Sequence, residues 1–261
     1  MKKSFIDQMG RDVSIEWPPQ RIISLVPSQT ELLYSLGLNE EVVGITKFCV
    51  HPEEWFQSKQ RIGGTKKLDF DKIAALKPDL IIGNKEENEE SQIKQLMQQY
   101  PVWMSDIHNL EDAFVMMSGV GEVVNKSEKV SELVRTIKVA FEKLKTTQLH
   151  TAAYFIWKEP YMVAGGDTFL NNMLNHCGLK NVFENYKGRY PELNKEEIKQ
   201  CNPEVILLSS EPYPFSDKHI DEFRQICPNS KIALVDGEYF SWYGSRLLNA
   251  PDYFLKVLSE I

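Results

Sequence analysis

The chain lacks the features that mark several functional classes. Lysine and arginine total 30 against 37 aspartates and glutamates, for a net charge of −7 at pH 7. That deficit of positive charge argues against a general binder of nucleic acid or of anionic membrane surfaces. No apolar run approaches the ~18–20 residues of a membrane span. The start, MKKSFIDQMGRD, is basic but has no apolar core behind it. No export signal is therefore visible, and a cytoplasmic location stays open. Cys49, Cys177, Cys201 and Cys227 are scattered without C-x-x-C spacing, and His51, His108, His150, His176 and His219 show no paired ligand spacing. Neither a disulfide framework, a metal site nor a resident cofactor is expected. GGTKK (Gly63–Lys67) and GGDTF, with glycines at 165 and 166, both fail the phosphate-loop pattern. Cys49 and His51 lie two apart, but no third group or oxyanion motif accompanies them, so catalysis is not expected.

What the chain does have is room for a core. It is 261 residues long and 42% hydrophobic, enough for one large domain or two smaller lobes. In RIISLVPSQTELLYSLGL, the apolar run Ile22–Val26 reads as a buried strand ended by Pro27. Ser28 and Glu31 have capping-box spacing ahead of a helix whose Leu32, Leu33 and Leu36 face inward, and Gly37 sits at the left-handed stop. EVVGIT follows as a second strand. Strand, helix and strand form a βαβ unit, hence a parallel sheet covered by helices.

The same grammar occurs twice. LDFDKIAALKPDLIIG (Leu68–Gly83) aligns without a gap on LNKEEIKQCNPEVILLS (Leu193–Ser209), at the offset 193 − 68 = 125. Asp69 pairs with Asn194 as N-cap, Ile73 with Ile198, Pro78 with Pro203 and Asp79 with Glu204. Two similar α/β lobes are the economical reading. Between them, Ser127–Lys145 contains no glycine or proline, and Val130, Leu133, Val134, Ile137, Phe141 and Leu144 fall on one helical face. A helix of about five turns, roughly 28 Å long, is expected there.

Several segments together resemble the helical-backbone substrate-binding proteins that serve ABC importers of cobalamin, siderophores and haem. They are FIDQMGRDVSIEWPPQRIISLVPSQTELLYSLG, RIGGTKKLDFDKIAALKPDLII, IWKEPYMVAGGDTFLNNMLNHCGL and RYPELNKEEIKQCNPEVILL. The resemblance implies an α/β fold of two Rossmann-like lobes bridged by a single long backbone helix, with a ligand cleft between them. The boundaries that follow are 1–122, 123–147 for the helix, and 148–261. The cobalamin-binding members are the most similar. Phe48, after the second strand, stands where those proteins carry a tyrosine. Tyr190 stands at their aromatic before a proline, and Glu238, Tyr239 and Phe240 match their acid followed by two aromatics, with Trp242 just beyond. Thr65 and Trp157 are further candidates for the cleft. A corrin is a broad, largely apolar plate fringed with amides, which aromatic faces with a few polar groups suit.

The resemblance also implies partners. Asp71 and Glu196, equivalent under the repeat, are expected to dock on arginines of a two-fold ABC permease. The binding protein itself is expected to be a monomer, with a cobalamin or another metal chelate as its small-molecule ligand. Haem or a ferric siderophore is the alternative, for which Lys47, Arg189 and Arg246 are the available cations. Family members work in the periplasm or on the outer face of the cytoplasmic membrane. A cytoplasmic corrinoid-binding paralogue is the other possibility.

Overall fold

A computed structural model of the chain describes residues 1–144 and 150–261. The chain forms two compact units. Unit 1 comprises Met1–Ile107, Glu111–Thr136 and Tyr243–Arg246; unit 2 comprises His108–Leu110, Ile137–Trp242 and Leu247–Ile261.

Unit 1 opens with a hairpin of β1 (Lys2–Ile6) and β2 (Asp12–Glu16). Its turn is tied by the Asp7 carboxylate, which accepts from the amides of Met9 and Arg11 and from the Arg11 guanidinium. The chain continues through β3 (Ile22–Ser24), α1 (Pro27–Ser35), β4 (Val42–Ile45), α2 (Glu53–Ser58) and β5 (Gln60–Arg61). It proceeds through α3 (Phe70–Leu76), β6 (Leu80–Asn84), α4 (Glu90–Met97), β7 (Val102–Ser105), α5 (Leu110–Val123) and α6 (Ser127–Phe141). The sheet runs β5-β4-β3-β6-β7, parallel throughout. Strands β3, β6 and β7 are buried at every position and β4 nearly so, and they read as largely apolar runs, while the edge strand β5 is exposed.

Two expectations about local structure are corrected here. The helix α1 starts at Pro27, with Val26 as N-cap and no side-chain cap. Proline needs no amide partner and carries a helical φ, so it begins the helix one residue before Ser28. Glu31 is thereby freed from the expected capping box and binds Arg246 instead. The stop is as expected: Leu32, Leu33 and Leu36 are buried, and Gly37 has φ +77°. The helix α6 ends at Phe141 rather than Lys145. Its last turn tightens, with the amides of Lys143 and Leu144 reaching only three residues back, to Ala140 and Phe141. Lys145 and the expected edge at residue 147 lie outside the described residues. Val130, Ile137 and Phe141 bury the apolar face, while Glu128 and Glu132 are exposed and Lys129 Nζ donates to the Leu36 carbonyl at 3.1 Å.

Unit 2 contains β8 (His150–Trp157), β9 (Tyr161–Val163), α7 (Phe169–His176), β10 (Leu179–Asn181), β11 (Glu192–Leu193) and α8 (Lys195–Cys201). It then runs through β12 (Val205–Ser209), α9 (Asp217–Ile226), β13 (Lys231–Val235), α10 (Gly237–Ser241) and α11 (Ala250–Glu260). The strands β10, β8, β12 and β13 are parallel neighbours in that order, and β9, carrying β11, pairs antiparallel with β8. Apart from that insertion, and from β5 at the edge of unit 1, the two orders match: β10-β8-β12-β13 corresponds to β4-β3-β6-β7.

The internal repeat extends to single hydrogen bonds. Asp69 and Asn194 both cap their helices, accepting from the amides of Lys72 and Glu197. The stops Lys77 and Asn202 both adopt the left-handed conformation, with φ of 47° and 40°. After each proline an acid staples its strand to the neighbouring one. Asp79 accepts from the amides of Gln20 and Arg21 at 2.7 and 2.8 Å. Glu204 accepts from the amide and hydroxyl of Thr151 at 2.7 and 3.0 Å.

Candidate functional site

In a parallel α/β sheet the loops that build a site leave the carboxyl ends of the strands. Within unit 1, Phe48 follows β4 and Thr65 follows β5. Both line a pocket of about 850 Å³, together with Lys47, Gly64, Lys67 and Asp71. The Phe48 ring is 50% exposed although it is large and apolar. It is held in place from two sides. A Cβ on Gly64 would lie 3.0 Å from Phe48 Cε2 and 3.3 Å from Lys47 Cε, so the bare glycine backbone gives both side chains room to rest on it. Lys47 Nζ stands 5.0 Å from the ring centroid, within cation–π range. Thr65 is half-buried, and its carbonyl accepts from Asn88 Nδ2 at 3.1 Å.

Within unit 2, Trp157 closes β8 and is 39% exposed. It meets Tyr213 edge-on at 5.5 Å, which fixes its orientation. Tyr190 is half-buried, just before β11. The aromatic cluster after β13 divides into two environments. Tyr239 is half-buried and stacks on Tyr253, with centroids 4.4 Å apart and planes 16° from parallel. Phe240 is 1% exposed and packs against Tyr154, Tyr253 and Phe254. The expectation of a ligand contact at Phe240 is therefore corrected: the ring belongs to the core of unit 2. The short helix α10 turns adjacent residues about 100° apart, so Tyr239 and Phe240 cannot share a face. Trp242 is also corrected as an open face. It is 7% exposed, and its Nε1–H donates to Glu211 Oε1 at 2.9 Å.

Glu211 was not anticipated from the sequence, although an acid at the carboxyl end of a strand is a recognisable signal. It follows β12 and also accepts from Ser241 Oγ at 2.8 Å. Burial pushes its carboxyl above the usual range. The Ser241 and Trp242 hydrogen bonds oppose this, while the charges of Glu238 and Asp236 add to it. Glu238 is half-buried, and its amide caps onto Asp236 Oδ1 at 3.1 Å.

The remaining candidates separate clearly. Asp71 and Glu196 are both exposed and occupy the second position of α3 and α8. Arg246 is committed to Glu31 through two hydrogen bonds of 3.1 and 2.7 Å, which removes it as a free cation for an anionic chelate. Cys49 is buried among the hydroxyls of Thr30 and Thr46, and burial raises its thiol pKa, the opposite of what a nucleophile needs. Among the described residues no group of three or more His, Cys, Asp and Glu could hold a metal, and no helix is long and apolar enough to cross a membrane.

Comparison with known proteins agrees with this architecture. The profile of the periplasmic binding protein family matches residues 22–225. The ABC transporter substrate-binding lipoprotein YvrC of Bacillus subtilis is 30% identical over 260 residues, spanning 94% of this chain and 82% of its own. The vitamin B12-binding protein of Pectobacterium atrosepticum is 24% identical over 255 residues, spanning 93% and 90%. Among solved structures, the vitamin B12-binding protein BtuF of Vibrio cholerae superposes with a TM-score of 0.80 at 20% identity, covering 94% of this chain and 99% of its own. The haem-binding protein RhuT of Roseiflexus reaches the same TM-score, 0.80, at 19% identity, covering 92% and 98%. The fold is common to both ligand classes.

Proposed function

The chain belongs to the periplasmic binding protein family, and on that premise we propose that it is the ABC-importer substrate-binding protein for cobalamin or a close corrinoid. The family is one of binding proteins, and YvrC carries the ABC-transporter assignment by name. The finer reading rests on one observation. Two large aromatic faces, Phe48 and Trp157, are left open at carboxyl ends of strands and held there by neighbours. We read these two faces, at strand ends where sites form in such sheets, as surfaces that a flat apolar ligand covers. Phe48, Thr65, Trp157, Tyr190, Glu238 and Tyr239 are the proposed contacts. Asp71 and Glu196 are proposed to meet the permease, and the site of action is proposed to be outside the cytoplasmic membrane. Similarity to vitamin B12-binding proteins across nearly the whole chain supports the corrinoid.

A second reading keeps the same role with haem or a ferric siderophore as cargo, favoured by the Lys47 ammonium beside Phe48. Isothermal titration calorimetry of the purified chain against cyanocobalamin, cobinamide, haemin and a ferric siderophore separates the two. One corrinoid per chain at micromolar affinity or better is expected. Binding of the iron compounds alone would replace the first reading with the second.

A further inference from the structure

The pocket beside Phe48 carries more lysines than carboxylates. On a chain of net charge −7 it gathers Lys47, Lys66 and Lys67 against two carboxylates, Asp69 and Asp71. Asp69 is already occupied, accepting from the Lys72 amide and pairing with Lys72 Nζ at 3.1 Å. Lys66 Nζ is bound to the Glu86 carbonyl. Among the described residues, the ammonium groups of Lys47 and Lys67 have no carboxylate or hydrogen-bond partner, and both side chains are exposed. Backbone geometry adds donors of the same sign. The Gly64 amide turns inward to the Lys67 carbonyl at 2.8 Å, closing a tight loop. The amides of Thr65, Lys66 and Lys67 have no acceptor among the described residues. A phosphodiester or carboxylate supplies the oxygens that such a set of donors lacks.

We propose that this pocket takes an anionic group of the ligand, held by the Lys47 and Lys67 ammonium groups and the Thr65–Lys67 backbone while the adjoining flat part of the ligand lies on Phe48. The proposal deepens the assignment above and rests on it for the identity of the cargo. Its chemistry makes a distinction that aromatic faces alone cannot make. Cobalamin carries a phosphodiester in its nucleotide loop, cobinamide lacks that loop, and haem carries two carboxylates.

Two measurements test it. In calorimetry, cyanocobalamin should bind about fivefold or more tighter than cobinamide at low salt, the scale of one or two exposed ion pairs. High salt should erase that preference, as should Lys47→Ala combined with Lys67→Ala, while the two Lys→Arg changes should keep it. An unaltered preference in the double alanine variant would overturn the proposal while leaving the corrinoid assignment intact. Haemin binding that weakens in the same variant, with no corrinoid binding, would uphold the anion pocket and overturn the corrinoid. The second measurement needs no cargo. Dimethyl phosphate or acetate, titrated into the isotope-labelled full chain, should shift the amide resonances of Thr65, Lys66 and Lys67, and the double alanine variant should not respond. Absence of that shift in the unaltered protein would refute the pocket whatever the cargo proves to be.

Discussion

Replacing Phe240 and Tyr239 separately by alanine should give opposite results although the two residues are neighbours. Phe240 is 1% exposed and touches Tyr154, Tyr253 and Phe254 at centroid distances of 5.2, 6.3 and 4.5 Å. Truncating a fully enclosed phenylalanine removes its transfer free energy and leaves a cavity, costing about 3–5 kcal/mol. Tyr239 has one face on Tyr253 and remains half-buried. Its truncation forfeits the stack on Tyr253, worth about 0.5–1.5 kcal/mol. Urea unfolding followed by circular dichroism should therefore show a large loss for Phe240→Ala and a small one for Tyr239→Ala. Affinity per folded molecule should show the reverse order, with cargo binding weakened by Tyr239→Ala and untouched by Phe240→Ala. A loss below about 1 kcal/mol at Phe240 would refute its placement in the core. Reduced affinity in a fully folded Phe240→Ala protein would return that ring to the site.

Glu222 receives Lys158 Nζ at 2.5 Å, Lys195 Nζ at 3.3 Å and the Tyr161 hydroxyl. Burial alone would raise its carboxyl, but these partners outweigh it and bring the group from 4.5 down to about 2. A depressed carboxylate stabilises the folded state fully above pH 4.5 and loses that contribution as pH falls toward 2. The shift corresponds to about 3 kcal/mol at most, reduced to about 1–2 by water at the rim. Acid titration of stability should thus be shallower between those limits in Glu222→Gln, and an unchanged slope would contradict the network. Lys77→Gly should stabilise the chain by about 0.5–1 kcal/mol by relieving a left-handed residue with a side chain, whereas a loss in urea would show that the lysine itself contributes. Glu196→Lys should leave cargo affinity unchanged and slow docking on permease-containing vesicles by about tenfold, and undiminished uptake would remove Glu196 from the docking surface.

Much of the fold was legible because its signals are local. Caps at Asp69 and Asn194, stops at Lys77 and Asn202, and a proline then an acid beyond them lie within a dozen residues of one another. Each is a backbone hydrogen-bonding problem that nearby side chains solve, so the sequence displays it. The capping box at Ser28 and Glu31 gives way to another local signal, Pro27 at the first helical position. What no local pattern carries is the partner that Glu31 then takes, Arg246, 215 positions away. The aromatic run after β13 stands out in the sequence, but the environment of each ring depends on where α10 starts. With Gly237 as its first residue, the helix turns Phe240 inward and leaves Tyr239 at the margin. Glu211 stayed hidden because its hydrogen-bond partners lie 30 and 31 residues further along the chain.

The segment Tyr243–Arg246 belongs to unit 1 although most of unit 2, Ile137–Trp242, precedes it in the chain. Its Arg246 guanidinium grips both oxygens of Glu31, a partly buried acid on α1. Translation delivers a protein from its amino end, and domains ordinarily fold in the order of their synthesis. Here that order cannot run to completion. A nascent chain that has emerged as far as residue 242 holds a full first sheet, yet its Glu31 still waits for a countercharge that the ribosome has not made. Any chaperone that holds this polypeptide meets a first unit that remains unfinished until residues 243–246 have been made.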